Sequence, residues 1–144
     1  MKELRTRKEI TIRFSEVDSM GVVWHGHYPL YFEDAREAFG KEYGLEYQTI
    51  YGNGWFAPIV ELNLKYHKSL HHGQKATVDI IYRPKPSAKI VFDYEIRDEA
   101  GELCVEGHSV QVFTTKDGEL SWDNPEFYAK WKERWGQTED KNDI

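Results

Sequence analysis

The sequence predicts an α+β domain, a five-stranded antiparallel sheet with one long helix packed on one face. Three observations carry this. A strand-like alternation comes first, at residues 9–14. One aromatic stripe at helical spacing follows from about residue 27. Four more alternating stretches then run between residues 59 and 114, with no second long helix among them.

Each element has a local reason. Glu9, Thr11 and Arg13 alternate with Ile10, Ile12 and Phe14, the period of a half-buried strand. A loop with Asp18 and Gly21 follows. Tyr28, Tyr31, Phe32, Ala35 and Phe39 then recur at helical spacing, while Glu33, Asp34, Arg36, Glu37 and Lys41 fall mostly off that stripe. Pro29 suits the first helical turn, where its missing N–H costs nothing. Gly40 or Gly44 can end the helix. The stripe is more aromatic than a surface helix requires, which suits a helix enclosed by a sheet. Residues 45–54 read as a short helix plus loop.

The four later strands are predicted at 59–66, 76–83, 89–97 and 103–114. Val60, Leu62, Leu64 and Tyr66 share a face in the first of them. Ala76, Val78, Ile80 and Tyr82 do so in the second, and Ile90, Phe92, Tyr94 and Ile96 in the third. In the last, Leu103 and Val105 are in phase, then Val110 and Val112, so a β-bulge is expected around Gly107. Residues 69–73, 84–87, 98–101 and 116–118 supply turns. Residues 124–135 read as a C-terminal helix with Asn124 as cap and Pro125 at its first position. The tail from 136 to 144 is expected to fray.

Length and composition narrow the class. The 144 residues form a single domain, 1–144, by the length prior. A 40% hydrophobic, 15% aromatic composition supports a true core and excludes a disordered chain. A formal charge of −6 disfavours a general nucleic-acid surface. No apolar run reaches membrane-spanning length, so no membrane partner is expected. The N-terminus MKELRTRKE has no apolar signal region. A single cysteine, Cys104, excludes an internal disulfide and fits a reducing, cytoplasmic setting.

The most informative stretch is 14–32, FSEVDSMGVVWHGHYPLYF. It sets a carboxylate, Asp18, in a loop just before a helix. A carboxylate near a helix N-terminus joins a base or nucleophile to exposed backbone N–H groups that stabilise an oxyanion. Residues 18–28, DSMGVVWHGHY, resemble the signature D-x-x-G-[VI]-V-[YW]-[HY]-x-N-Y of the 4-hydroxybenzoyl-CoA thioesterase family. Asp18, Gly21, Val22, Val23, Trp24, His25 and Tyr28 match it, and His27 departs from the family's Asn. The resemblance spans roughly residues 8–120. It implies the hotdog fold, in which a sheet wraps a central helix, and acyl-CoA thioester hydrolysis without a metal or other cofactor. It also implies a homodimer or homotetramer built by pairing sheet edges.

Asp18 is the first candidate. The bland reading is a loop Asp in an Asx-turn or cap. It stands about nine residues before the helix, too early to be the N-cap, and an apolar segment separates the two. The resemblance gives it the catalytic role, as nucleophile or as general base for water; one sequence leaves both open. His25 is either a structural histidine or a contributor to the oxyanion site through its backbone N–H, with the imidazole as a further acid or water-orienting group. The backbone around Gly26 belongs to the same expected site. Tyr28, Val60 and Glu61 are weaker candidates for lining an acyl pocket. Glu16 is read as a solvated strand-end carboxylate, or else as a like charge that raises the basicity of Asp18. The family has Y-x-R-P-A where this chain has Tyr66-His67-Lys68-Ser69-Leu70, so Lys68 occupies the basic position, as a solvated strand end or a CoA phosphate contact.

Other chemistries lack their motifs. His25, His27, His67, His71 and His72 invite a metal site, but no HExxH or cysteine pair accompanies them. Cys104 has no evident base, and no G-x-S-x-G, P-loop or G-x-G-x-x-G occurs. The expected protein is a hotdog acyl-CoA thioesterase. The alternatives are a hydratase or dehydratase acting on a thioester, for which no hydratase-type motif is seen, and a non-catalytic acyl-thioester-binding protein, against which Asp18 argues.

Overall fold

The computed structural model describes residues 1–138. Its strands are β1 (Arg5–Thr11), β2 (Ile59–Tyr66), β3 (Lys75–Tyr82), β4 (Lys89–Asp98) and β5 (Leu103–Val112). They form one antiparallel sheet in the order β1-β3-β4-β5-β2. Helix α1 (Tyr28–Tyr43) packs on one face of this sheet, α2 (Tyr47–Gly52) follows it, and α3 (Glu126–Arg134) closes one end. The expected hotdog architecture is present.

α1 forms where its aromatic stripe meets the sheet. Tyr28, Tyr31, Phe32, Ala35 and Phe39 are all buried. Phe32 stacks on Tyr94 of β4 at 4.3 Å between ring centroids, and Phe39 meets Phe92 edge-on at 4.9 Å. Burying one such side chain contributes about 1.5–3 kcal/mol. The helix stops at Gly44, whose φ of 73° is left-handed and whose N–H returns to the Gly40 carbonyl.

The structure corrects several boundaries. β1 begins and ends earlier than predicted, and Phe14–Glu16 is a 3-10 turn instead of strand. The break in β5 is not at Gly107, which pairs regularly with Leu64 and Tyr94. It lies at Cys104, left over between the Ile96–Val105 and Arg97–Leu103 pairs. Gly107 interrupts the apolar pattern for another reason. It lies beneath the Phe32 ring, and a methyl group there would overlap that ring. Val110, opposite Val91, alternates with the helix-facing Ser109 and faces the other way.

At the C-terminus, Pro125 stands at the cap of α3. Asn124 does not cap it: its amide donates to the Pro86 carbonyl at 3.1 Å, and its Oδ1 accepts from Lys132. Gln137 is buried and donates to the Lys2 carbonyl at 2.8 Å, so the chain is still tied down where fraying was expected. Residues 139–144 of that expected tail lie outside the described residues.

Candidate active site

The Asp18 loop is a small closed hairpin. Val17 bridges Val23, and the Asp18 N–H donates to the Val22 carbonyl at 2.8 Å. The Gly21 N–H returns to the Asp18 carbonyl at 3.0 Å, with φ of 76° at Gly21. That positive φ favours glycine. Met20 N–H donates to Asp18 Oδ1 at 2.8 Å, the Asx-turn that the bland reading foresaw. The bond fixes one carboxylate oxygen and orients the other. The half-buried Asp18 therefore combines a local turn with a free acceptor.

Two sets of bonds hold this hairpin in place. Val23 N–H donates to the Leu70 carbonyl at 2.8 Å, and His72 N–H to the Gly21 carbonyl at 3.1 Å. On the other side, Trp24 N–H donates to the Glu16 carbonyl at 3.1 Å. A 3-10 turn, His25–His27, then leads directly into α1. The first N–H groups of such a turn have no intrahelical acceptor and are free for an anion.

Glu16 is the brace. Its Oε1 accepts from Arg13 N–H at 2.8 Å and from the Tyr31 hydroxyl at 3.0 Å, and its Oε2 lies 3.4 Å from His27 Nε2. The Glu16 and His27 side chains are only 11% and 20% exposed. Burial pushes the Tyr31 phenol well above its usual range, and the bond to Glu16 adds to this. One carboxylate thus clamps the chain before Asp18 to the first turns of α1. The solvated strand-end reading of Glu16 is corrected: it is enclosed and fully engaged. His27, where the family has Asn, completes the clamp.

The other expected site residues are spread out. His25 has an exposed ring lying 5.2 Å from the Trp24 indole, and its carbonyl accepts from the Tyr66 hydroxyl at 3.0 Å. Gly26 sits under the Trp24 indole, so an added Cβ there would displace the ring. Tyr28 is 3% exposed and packs among Tyr31 and Tyr66, a core position and not a pocket wall in this chain. Val60 is the extra residue of a β2 bulge and is 61% exposed. Glu61 is on the outer face, 3.4 Å from His108 Nε2, whose Nδ1 bonds Asp93 at 2.7 Å. Lys68 Nζ is held at 2.9 Å by Asp98 and at 2.5 Å by Glu102, which raise its pKa. The ammonium keeps one further N–H donor, on a side chain that is 46% exposed.

Sequence reasoning missed a groove of about 920 Å³ beside α1, lined by Arg36, Phe39, Leu45, Ile59, Phe92 and Gln111 among others. Its only sequence signal was the basic Arg36 close beside the aromatic stripe. Among the described residues, no three His, Cys, Asp or Glu side chains gather as a metal site would need, and no helix is long and apolar enough to cross a membrane.

A five-stranded sheet wrapped on a long helix, as here, is the architecture of the hotdog-fold thioester hydrolases, and sequence similarity places the chain among them. The chain belongs to the thioesterase-like superfamily, whose sequence model matches residues 12–131. It is 34% identical over 112 residues to the Bacillus subtilis protein named "Putative acyl-CoA thioesterase YneP", covering 78% of this chain and 81% of that one. A DHNA-CoA thioesterase structure from Staphylococcus aureus superposes with a TM-score of 0.83 at 28% identity, covering 92% of this chain and 89% of the other. A 4-hydroxybenzoyl-CoA thioesterase structure shares the fold, with a TM-score of 0.76 at 20% identity over 89% of this chain and 98% of that one.

Proposed function

We propose that this chain hydrolyses acyl-CoA thioesters to the free acid and CoA, with Asp18 as the catalytic carboxylate. The observation that carries the reading is the Asp18 hairpin. Met20 N–H holds one oxygen, and Glu16 braces the loop against the start of α1. The carboxylate is then oriented before any substrate arrives, which is where much of a catalytic advantage originates. Asp18 either attacks the thioester carbonyl and expels the thiolate, leaving an anhydride for water to cleave, or removes a proton from an attacking water. The backbone N–H groups of His25 and Gly26 face the developing oxyanion. The imidazole of His25 is exposed and is not needed for that step.

The active unit is a homodimer or a homotetramer, a dimer of such dimers. β2 is the last strand of the sheet, and its Val60, Leu62 and Tyr66 are 61%, 37% and 54% exposed. An unpaired edge with apolar side chains calls for a partner. Pairing β2 with its copy covers them and sets the Asp18 hairpin of one chain against the groove of the other. The groove then takes the acyl group. Lys68, already paired with Asp98 and Glu102, has one further N–H donor for a CoA phosphate, and a reducing cytoplasm keeps Cys104 a thiol.

A panel of acyl-CoA substrates, read by thiol release, tests the activity. Release of CoA together with free acid is expected. A change in acyl double bonds without thiol release overturns the reading in favour of a hydratase. Sedimentation of active protein is expected to show no monomer, and a fully active monomer overturns the shared site.

A further inference from the structure

The groove beside α1 contains a guanidinium that forms an ion pair with no carboxylate among the described residues. Arg36 reaches inward from α1 and donates from Nη1 to the Tyr94 hydroxyl at 3.1 Å, which in turn lies 2.6 Å from Ser109 Oγ. No Asp or Glu oxygen lies within ion-pair distance of its guanidinium among the described residues. Four other arginines do have such partners: Arg5 with Glu3, Arg7 with Asp79, Arg83 with Asp93 and Arg97 with Glu95. Arg13 and Arg134 show no ion pair among the described residues either, but both are exposed to solvent, and Arg36 is not.

Position sharpens the contrast. Glu33, Glu37, Lys41 and Glu46 also border the groove, yet all are exposed at its rim. Arg36 is the charged lining residue that is not exposed. The buried Phe39, Ile90 and Phe92 line the same groove. Burial raises the Tyr94 phenol, and the nearby guanidinium opposes that push. The guanidinium nitrogens beyond the Tyr94 bond are not sealed away: none is among the buried polar atoms that lack a partner. A guanidinium offers five N–H donors in a planar fork that fits a carboxylate with two parallel bonds. Partly desolvated in a cavity of this size and without a carboxylate partner among the described residues, such a guanidinium is suited to recognising an anion.

We propose that this groove seats an acyl group that ends in a carboxylate, with Arg36 as the residue that selects it. The apolar walls hold the chain's methylene or ring carbons, and Arg36 pairs with the terminal anion. The word acyl rests on the thioesterase reading; the anion site does not.

The test compares matched substrates: hexanoyl-CoA against adipyl-CoA, and decanoyl-CoA against sebacyl-CoA. In wild-type protein the carboxylated member is expected to have the higher kcat/KM in at least one pair, by about tenfold or more. Arg36→Met is expected to reduce that ratio at least tenfold, and Arg36→Lys, which keeps charge but loses the fork, to restore part of it. Equal rates within both pairs, or a ratio that Arg36→Met leaves unchanged, overturn the proposal. Should Arg36→Met fail to fold, Arg36→Lys alone is expected to lower the ratio severalfold, and an unchanged ratio overturns it. If no thioester is cleaved, the hydrolase reading fails, and calorimetry with adipate and sebacate decides the anion site separately. Binding that Arg36 variants abolish supports it. No binding to wild-type protein, as when a second copy of the chain fills the groove, overturns it.

Discussion

The two flanks of α1 face very different neighbours. On one side, β3 alternates apolar residues, and Val78, Ile80 and Tyr82 are 0%, 0% and 1% exposed. On the other, β2 alternates apolar residues just as well, yet Leu62 and Tyr66 are 37% and 54% exposed. The covered flank is closed by α1, β1 and α3, with Tyr82 bonded to Tyr128 at 2.6 Å. The open flank borders the groove. Equal hydrophobic patterning therefore serves two ends. One flank stabilises the fold, and the other stays exposed, where the proposed dimer would place a second chain and the acyl group.

The largest expected effect divides chemistry from folding. Asp18→Asn should lower kcat by roughly two to four orders of magnitude. Its urea midpoint should stay within error of wild type, because the amide can still accept from Met20 N–H. Near-normal turnover would remove Asp18 from the mechanism.

The next contrast sets Phe32 against Leu62. Phe32→Ala empties the space above Gly107 and should cost about 3–5 kcal/mol in denaturant unfolding. Leu62→Ser should act on assembly instead: sedimentation should show a shift toward monomer, and thiol release should fall with it. A Leu62 variant that stays fully assembled would mean that β2 is not the dimer edge.

A smaller effect belongs to the brace. Glu16→Gln keeps its acceptor for Tyr31 but loses the charge facing His27. We expect kcat to fall by about tenfold, with KM changed less, since misplacement of catalytic groups affects the transition state most. His25→Ala should lose little and leave the pH profile in place; a loss matching Asp18→Asn would make the imidazole an acid–base participant.

The smallest effect is electrostatic. The bond from Lys68, with help from the Glu102 N–H, holds the Asp98 carboxyl below its ordinary value. A lowered folded-state pKa contributes stability above the usual carboxylate range and loses it as pH falls through the lowered value. Lys68→Met should therefore weaken the fold at neutral pH and flatten its acid limb, as read by thermal melts across acidic pH.

Much of this was legible residue by residue. The aromatic stripe of α1, the four later strands and the Asp18 loop all depend on local periodicity and turn chemistry, which a sequence displays directly. The errors arose where long-range contacts decide. Gly107 looked like a bulge because the Phe32 ring above it leaves no room for a side chain, and that ring is far away in sequence. Glu16 looked solvated because the partners enclosing it, His27 and Tyr31, come from a different element. Val60 looked like one more step of a regular alternation, and pairing with β5, distant in sequence, makes it the extra residue of a bulge.

The sequence by itself determined the element order, the α+β class and a carboxylate loop before a buried helix, because burial patterns and turn residues act over a few positions. Only the tertiary structure decided which apolar strand face α1 covers, how Glu16 ties the Asp18 hairpin to the helix start, and that Arg36 stands in the groove with no carboxylate partner among the described residues. Those outcomes depend on which distant groups come within a few ångströms. Chain packing sets that, and local periodicity does not encode it.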